Sequence, residues 1–159
     1  MLEFLFLYPL TLVFFFQVRE LHNLDLVYKT EDSKGNIYSI RPPFQPKEIA
    51  KFQTIISKQN LSVTFTVNHE FLLLINDRNN VIGGLYFKYK NNLRVHLEWV
   101  VIRKKYQGLK LSKRLMDDFF NRMKQNKINT ITVGFYHENF FYKQGFNIDQ
   151  SYGGLVKRI

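Results

Sequence analysis

The spacing of apolar residues changes near Ile102, and this change constrains the fold more strongly than any other feature of the sequence. Between Leu93 and Ile102 the pattern has a period of two, which is typical of a β-strand. Beyond Ile102 the pattern follows the helical period. The apolar positions of this predicted helix are Leu111, Leu115, Met116, Phe119, Phe120 and Met123. A long strand that leads through a short loop into a long helix predicts a mixed α/β domain.

Before this segment, the sequence predicts two hairpins, one helix and one further strand. The hairpins pair residues 24–30 with 37–41 and residues 71–75 with 81–89. Gly83-Gly84 in the second hairpin predicts a β-bulge or a close approach of two backbones. Pro46 suits the first turn of a helix that ends near Lys58, and residues 61–67 alternate as a strand does. An antiparallel meander is the simplest arrangement of these strands.

After the long helix, the sequence predicts a strand over residues 130–135, a short helix over 139–144 and a last strand over 152–159. Gly145 suits the end of the short helix, because glycine readily takes the left-handed conformation found there.

Cysteine is absent from the 159 residues, which excludes disulfides, thiolate zinc sites and a cysteine nucleophile. The four histidines are widely separated in the sequence, and only His96 shares a strand face with a carboxylate, Glu98. Two candidate ligands make a poor metal site, so we predict no metal.

The first sixteen residues are nearly all apolar, but they are too few for a comfortable membrane span and contain Pro9. Glu3 and the polar residues that follow the run do not suit a signal peptide. We predict that residues 1–35 comprise a segment that packs on the domain, or a remnant of a longer parent protein, followed by a hairpin strand. A membrane anchor is the alternative, and we expect a cytoplasmic protein.

Basic residues crowd the loop between the long strand and the long helix. The chain has a formal net charge of +10 and a pI near 9.8, which favours polyanionic partners: nucleic acid, anionic lipid or a phosphorylated cofactor. The local cluster consists of Arg103, Lys104, Lys105, Lys110, Lys113 and Arg114. At the start of a helix, free backbone N–H groups and the helix dipole also attract anions. A pyrophosphate group would fit this loop.

This segment resembles the cofactor-binding motif of the GNAT acetyltransferases. Val100-Val101-Ile102 is similar to the apolar triplet that ends the family's strand, and Gln107 occupies the first position of the Gln/Arg-x-x-Gly-x-Gly/Ala loop. Lys110 and Ser112 replace the two small residues of that loop. The resemblance extends from about Ile37 to Ile159 and includes Gly83-Gly84. It also includes Phe140 to Phe146, which resembles the family's late Lys-x-Gly-Phe signature.

The resemblance implies that residues 36–159 form an acyltransferase domain with a twisted, mostly antiparallel sheet, flanking helices and one splayed parallel strand pair. It implies an N-acetyltransferase that uses acetyl-CoA as cosubstrate and no metal. The acceptor would be a primary amine on a small molecule or protein, attacking directly in a ternary complex.

The resemblance also assigns candidate site residues. Amides near Val100, Val101 and Ile102 would bind the pantetheine arm and polarise the thioester carbonyl. The remaining cofactor-binding candidates are Gln107, Gly108, Leu109, Lys110, Leu111, Ser112 and Lys143. Glu98 is the candidate base, since it lies four residues before Ile102 on the same predicted strand face. The alternative is a strand carboxylate that only pairs with Arg94 or His96.

The family's usual acid is a Tyr four residues before the signature Gly, and Phe141 occupies that position here. Tyr142 carries the nearest hydroxyl, although a shift of one residue turns a helical side chain by about 100°. Tyr142 is therefore the candidate acid, with water or another Tyr as alternatives.

Two other functions remain open from the sequence. A basic nucleic-acid-binding module would explain the charge, and it predicts aromatic side chains clustered on adjacent exposed strands. A CoA-binding domain without catalysis would explain the departures at Lys110, Ser112 and Phe141. We also expect that the protein does not bind a membrane.

Overall fold

Eight strands form one mixed sheet in the computed structural model of the protein, which describes residues 26–59 and 62–159. The strands are β1 (Tyr28–Glu31), β2 (Ile37–Arg41), β3 (Glu70–Asn76), β4 (Val81–Tyr89), β5 (Arg94–Ile102), β6 (Thr130–Val133), β7 (Asn147–Asp149) and β8 (Gly154–Arg158). Their order across the sheet is β1-β2-β3-β4-β5-β6-β8-β7. Within these ranges, β5 and β6 are parallel and every other neighbouring pair is antiparallel.

Within the described residues, three helices cover the two faces of the sheet, as the apolar periodicity predicts. They are α1 (Pro46–Ser57), α2 (Leu111–Gln125) and α3 (Glu138–Lys143). On one face, Phe52, Ile55 and Ile56 of α1 pack on sheet residues that include Leu73, Tyr86 and Val101; we call this group the α1 cluster. On the other face, α2 and α3 pack on sheet residues that include Leu72, Leu97 and Ile102; we call this group the α2 cluster. In the described part of the chain, no helix is long and apolar enough to cross a membrane.

The two predicted hairpins and the strand–loop–helix segment are confirmed, and so is the close backbone approach at Gly83-Gly84. A Cβ atom at Gly83 would lie 2.6 Å from the carbonyl oxygen of Val101, so only glycine fits there without a shift of β5. Leu74 pairs with Gly83 and Ile75 with Val81, which leaves Ile82 as the extra residue of a β-bulge.

The structure corrects three element predictions. Residues 62–67 form no strand, because β2 and β4 already occupy both edges of β3. Instead, half-buried Val63 and Phe65 pack on the α1 cluster, which accounts for the alternating pattern. The strand predicted over residues 130–135 ends at Val133, and the last strand begins at Gly154 rather than at residue 152. The sequence analysis also missed β7, which has three residues and lies at the sheet edge. Residues 1–25, including the apolar N-terminal run, lie outside the described residues.

The turn between β1 and β2 supports the loop that precedes α2. Asp32 accepts hydrogen bonds from the backbone N–H groups of Lys34 and Asn36, from the Asn36 amide and from the Tyr38 hydroxyl. The next residue, Ser33, donates its N–H to the carbonyl oxygen of Leu109 at 3.1 Å. The hairpin turn is thereby tied to the predicted cofactor loop.

Asp32→Asn is expected to remove an acid-sensitive part of the stability. Burial alone would raise the pKa of Asp32, but its hydrogen bonds outweigh burial and lower the pKa from 3.8 to about 2. A carboxyl group whose folded pKa is depressed stabilises the fold above its unfolded pKa, and this stabilisation is lost as the pH falls through the folded pKa. The variant should therefore melt below wild type at pH 7, and the difference should shrink between pH 4 and pH 2. A difference in melting temperature that stays constant with pH would contradict this account.

Candidate active site

Strands β5 and β6 separate at the centre of the sheet. They pair from Arg94–Thr130 to Leu97–Val133, where β6 ends. Strand β5 continues to Ile102 with β4 on one side only in the described structure, so its other edge is open. The backbone groups on that edge are available to a ligand that pairs as a strand does.

A cavity of about 330 Å³ lies at this opening. It is lined by seven of the ten predicted cofactor residues: Val100, Val101, Ile102, Gln107, Gly108, Leu111 and Ser112. Leu109, Lys110 and Lys143 do not line it. Tyr136 and Phe141 line the opposite side, between β6 and the body of α3. The predicted strand end and loop therefore meet at one cavity.

The loop before α2 presents unpaired backbone donors. Among residues 26–59 and 62–159, no acceptor meets the N–H groups from Gly108 to Lys113, and the first bond of the helix runs from Arg114 N–H to the Lys110 carbonyl at 3.2 Å. Adjacent donors at a helix N-terminus, with the basic cluster around them, form a site for an anion.

Lys110 precedes α2 in the left-handed conformation, with φ of 64°. This conformation explains why a small residue is usual at the matching position of the family's motif. The lysine nevertheless keeps the loop shape, and its exposed side chain stays outside the cavity lining. The replacement therefore does not block the cavity.

Two glutamine side chains hold the end of β5. The Gln107 amide donates to the carbonyl oxygen of Ile102 at 2.9 Å, and the Gln59 amide donates to the same oxygen at 2.9 Å. Gln107 is the first residue of the predicted motif, and its side chain ties the loop to the strand. Gln59 lies just after α1, and nothing local in the sequence indicated this long-range contact.

Glu98 is the extra residue of a second β-bulge. Leu97 pairs with Phe87 and Trp99 with Tyr86, so Glu98 lies between two registers. The bulge reverses the alternation, and Trp99 then faces the α1 cluster while Ile102 faces the α2 cluster. The Glu98 carboxylate contacts Lys88 and His69, and the His69 ring packs on Tyr86 of the α1 cluster. The prediction that Glu98 and Ile102 share a face is therefore wrong.

Three basic side chains surround the Glu98 carboxylate. Lys88 Nζ lies 3.1 Å away, His69 Nε2 lies 3.6 Å away and His96 Nε2 lies 4.0 Å away. Burial raises the pKa of Glu98, but the Lys88 hydrogen bond and the nearby positive charges outweigh burial and lower that pKa. Burial lowers the pKa of His96, whose Nδ1 lies 2.8 Å from the Thr132 hydroxyl. In the described residues, no group of three or more His, Asp or Glu side chains is arranged to hold a metal ion.

The structure does not bring Tyr142 to the cavity. Phe141 is fully buried and lines it, whereas Tyr142, one residue later on α3, is 41% exposed and points elsewhere. The turn of about 100° between successive helical residues explains this difference. Lys143, also on α3, is exposed. The hydroxyl that reaches the cavity belongs to Tyr136, which the sequence analysis missed.

Comparison with known proteins gives one family. The model of the acetyltransferase (GNAT) domain matches residues 40–152. No curated protein matches the sequence.

Solved structures with the same fold include Tetrahymena GCN5, which is 24% identical, with 69% of this chain and 84% of that chain covered and a TM-score of 0.58. An acetyltransferase from Elizabethkingia anophelis with acetyl-CoA bound is 15% identical, with 77% and 98% covered and a TM-score of 0.60. The PaiA N-acetyltransferase from Thermoplasma acidophilum, in complex with coenzyme A, is 22% identical, with 71% and 68% covered and a TM-score of 0.52.

At these identities the solved structures establish the fold, and the match to the domain model over most of the chain establishes the family. Both agree with the mixed sheet and its parallel pair of strands, β5 and β6. The chain belongs to the GNAT acetyltransferase family and is an acyltransferase.

Proposed function

We propose that this protein transfers an acetyl group from acetyl-CoA to a primary amine by direct attack in a ternary complex. The observation that carries the proposal is the run of N–H groups from Gly108 to Lys113, which have no acceptor among residues 26–59 and 62–159, beside the open edge of β5. The loop suits a diphosphate, and the strand edge suits the amide-containing pantetheine arm. A cytoplasmic location, as expected from the sequence, belongs to the same proposal.

Binding uses backbone groups more than side chains. The loop amides hold the diphosphate, and Lys110 adds a positive charge at the surface of the loop. The β5 edge pairs with the pantetheine amides in the manner of an added strand. The thioester then lies in the cavity beside Val100, whose N–H polarises the carbonyl group.

We assign to Glu98 the proton that the substrate ammonium group must lose; because Glu98 does not line the cavity, the transfer runs through a water molecule. The pKa of Glu98 lies below the ordinary value, so the carboxylate is ionised at neutral pH and can accept a proton. The free amine nitrogen bonds to the carbonyl carbon, and the carbonyl π pair moves onto oxygen. When that pair re-forms the C=O bond, the C–S bond breaks and its electrons leave on sulfur. Because Phe141 carries no hydroxyl and Tyr142 is exposed, we assign two steps to solvent: the nitrogen loses its second proton to water as the amide forms, and the thiolate takes a proton from water.

The nucleic-acid alternative gains no support from the exposed aromatic side chains. They are spread over β1, β4, two connecting segments and α3, at Tyr28, Tyr89, Phe44, Phe135 and Tyr142. Stacking platforms for single-stranded nucleic acid need such rings side by side on one surface. The third possibility, a CoA-binding domain without catalysis, differs from our proposal only in turnover and is separated from it by an acetylation assay.

Calorimetric titration with acetyl-CoA and with desulfo-CoA tests the proposal. We expect wild type to bind both ligands, and Lys110→Glu to weaken both by roughly 5- to 30-fold, from about 1–2 kcal/mol of lost charge interaction at a screened surface. Gln107→Ala should also weaken binding, because the loop loses its tie to Ile102. Lys51→Glu, the same charge change at an exposed position of α1, is the matched control. Failure of wild type to bind acetyl-CoA would refute the proposed function.

A further inference from the structure

Tyr136 lines the cavity at the opening between β5 and β6. One face of its ring stacks on Trp99, with 3.9 Å between ring centroids and 9° between ring planes. Phe141 meets the ring edge-to-face, with 5.2 Å between centroids and 78° between planes. The ring is thus held between β5 and α3, and this support fixes the direction of the hydroxyl group.

The hydroxyl group of Tyr136 is buried and has no hydrogen-bond partner in the described part of the protein. A buried donor without an acceptor destabilises the fold, so native proteins rarely keep one without a use. Tyr136 lines the same cavity as Val100. The backbone N–H of Val100 is close enough to the phenol oxygen to act on its pKa, although no hydrogen bond joins the two groups in the described part of the protein.

The Tyr136 hydroxyl and the Val100 N–H, which lies on the open edge of β5, are therefore two donors beside one cavity. The phenol remains protonated at neutral pH, because burial raises its pKa and the nearby Tyr86 and Glu98 raise it further. Tyr86 and Glu98 both lie on the α1 side of the sheet, where the nearby positive charges include Lys88, Lys90 and, when protonated, His69 and His96. A protonated hydroxyl and a backbone N–H together select an acceptor atom with two lone pairs, such as a carbonyl oxygen.

We propose that the Tyr136 hydroxyl and the Val100 N–H form a two-donor site for the thioester carbonyl oxygen of acetyl-CoA, an inference that rests on the proposed function. When the amine bonds to the carbonyl carbon, the π pair collects on this oxygen and both donors hold the resulting negative charge. When the C–S bond breaks, the pair returns to the C=O bond and the donors are released. Tyr136 keeps its proton throughout, so its role is stabilisation of charge rather than proton transfer.

Tyr136→Phe removes the hydroxyl while keeping the ring that stacks on Trp99. Two probe ligands isolate the contribution of the acyl carbonyl group. Desulfo-CoA lacks this group, whereas the methyl ketone analogue of acetyl-CoA, in which a methylene replaces sulfur, keeps it. Trp99 is the sole tryptophan of the chain and stacks on Tyr136. Its fluorescence therefore gives a second measure of ligand binding, in addition to calorimetry. Tyr28→Phe, the same change at an exposed residue of β1, is the control.

We expect Tyr136→Phe to weaken binding of the ketone by roughly 2- to 10-fold, the value of one hydrogen bond, and to leave desulfo-CoA binding unchanged. The value of kcat/KM should fall further, by roughly 10²- to 10³-fold, because the charge develops in the transition state. An equal loss of affinity for both ligands would assign the effect to ring packing and overturn the inference. Unchanged affinity for the ketone together with unchanged kcat/KM would also overturn it. Failure of wild type to bind either ligand would instead refute the proposed function and this inference with it.

Discussion

Ser112→Pro is expected to weaken binding of desulfo-CoA by roughly 10- to 150-fold while α2 remains folded. Ser112 is the second residue of α2, and its N–H has no acceptor in the described structure. Proline in the first turn of a helix therefore costs no intrahelical hydrogen bond. It does remove one donor from the proposed diphosphate site, and a hydrogen bond to a charged group contributes about 1.5–3 kcal/mol.

Ser112→Ala is the matched control for this variant, because it removes the side-chain hydroxyl and keeps the backbone N–H. Calorimetry gives the two affinities, and thermal melting followed by circular dichroism checks that α2 is intact. If the proline and alanine variants bind desulfo-CoA equally well, the backbone donor at this position has no part in binding.

Glu98→Gln is expected to lower kcat by roughly 10²- to 10⁴-fold, the usual contribution of a general base, with little change in acetyl-CoA affinity. The amide keeps the size of the side chain and its place in the bulge, but it cannot accept the proton of the amine. Steady-state kinetics and calorimetry separate the two effects. Full activity of Glu98→Gln would mean that the carboxylate serves only as the partner of Lys88 and His69.

Lys88→Met gives the second test of the same role through the pH dependence. The hydrogen bond from Lys88 is the largest influence that lowers the pKa of Glu98, so its removal raises that pKa. A base must be deprotonated to act, and activity is therefore lost as the pH falls through its pKa. The acid limb of kcat/KM should move to higher pH in Lys88→Met. If the acid limb does not move, a group other than Glu98 is responsible for it.

The fold was predictable wherever a long element shows one clear period. The strand that ends at Ile102 and helix α2 are such elements, and the structure places both within one or two residues of their predicted bounds. A strand was wrongly predicted over residues 61–67 because alternation indicates only that every second side chain is buried. Val63 and Phe65 pack on the α1 cluster without a strand partner. Strand β7 has too few residues to show a period.

The candidate site was predictable where it depends on local sequence and not where it depends on pairing. The loop from Gln107 to Ser112 carries its own motif, and the structure brings most of its residues to the cavity. The bulge at Glu98 arises from the register between β4 and β5, which no local pattern reports. Tyr136 reaches the cavity because β6 ends at Val133, two residues earlier than its sequence suggests.

Backbone NMR of the loop amides shows whether the loop before α2 binds the diphosphate. On addition of desulfo-CoA, the amide protons from Gly108 to Lys113 should shift strongly and exchange more slowly with water, because each donor that was unpaired gains a phosphate oxygen. Amides at the far end of α2, near Gln125, should not change. If desulfo-CoA binds while the amides from Gly108 to Lys113 keep their shifts and exchange rates, the diphosphate is held elsewhere and the account of this site is wrong.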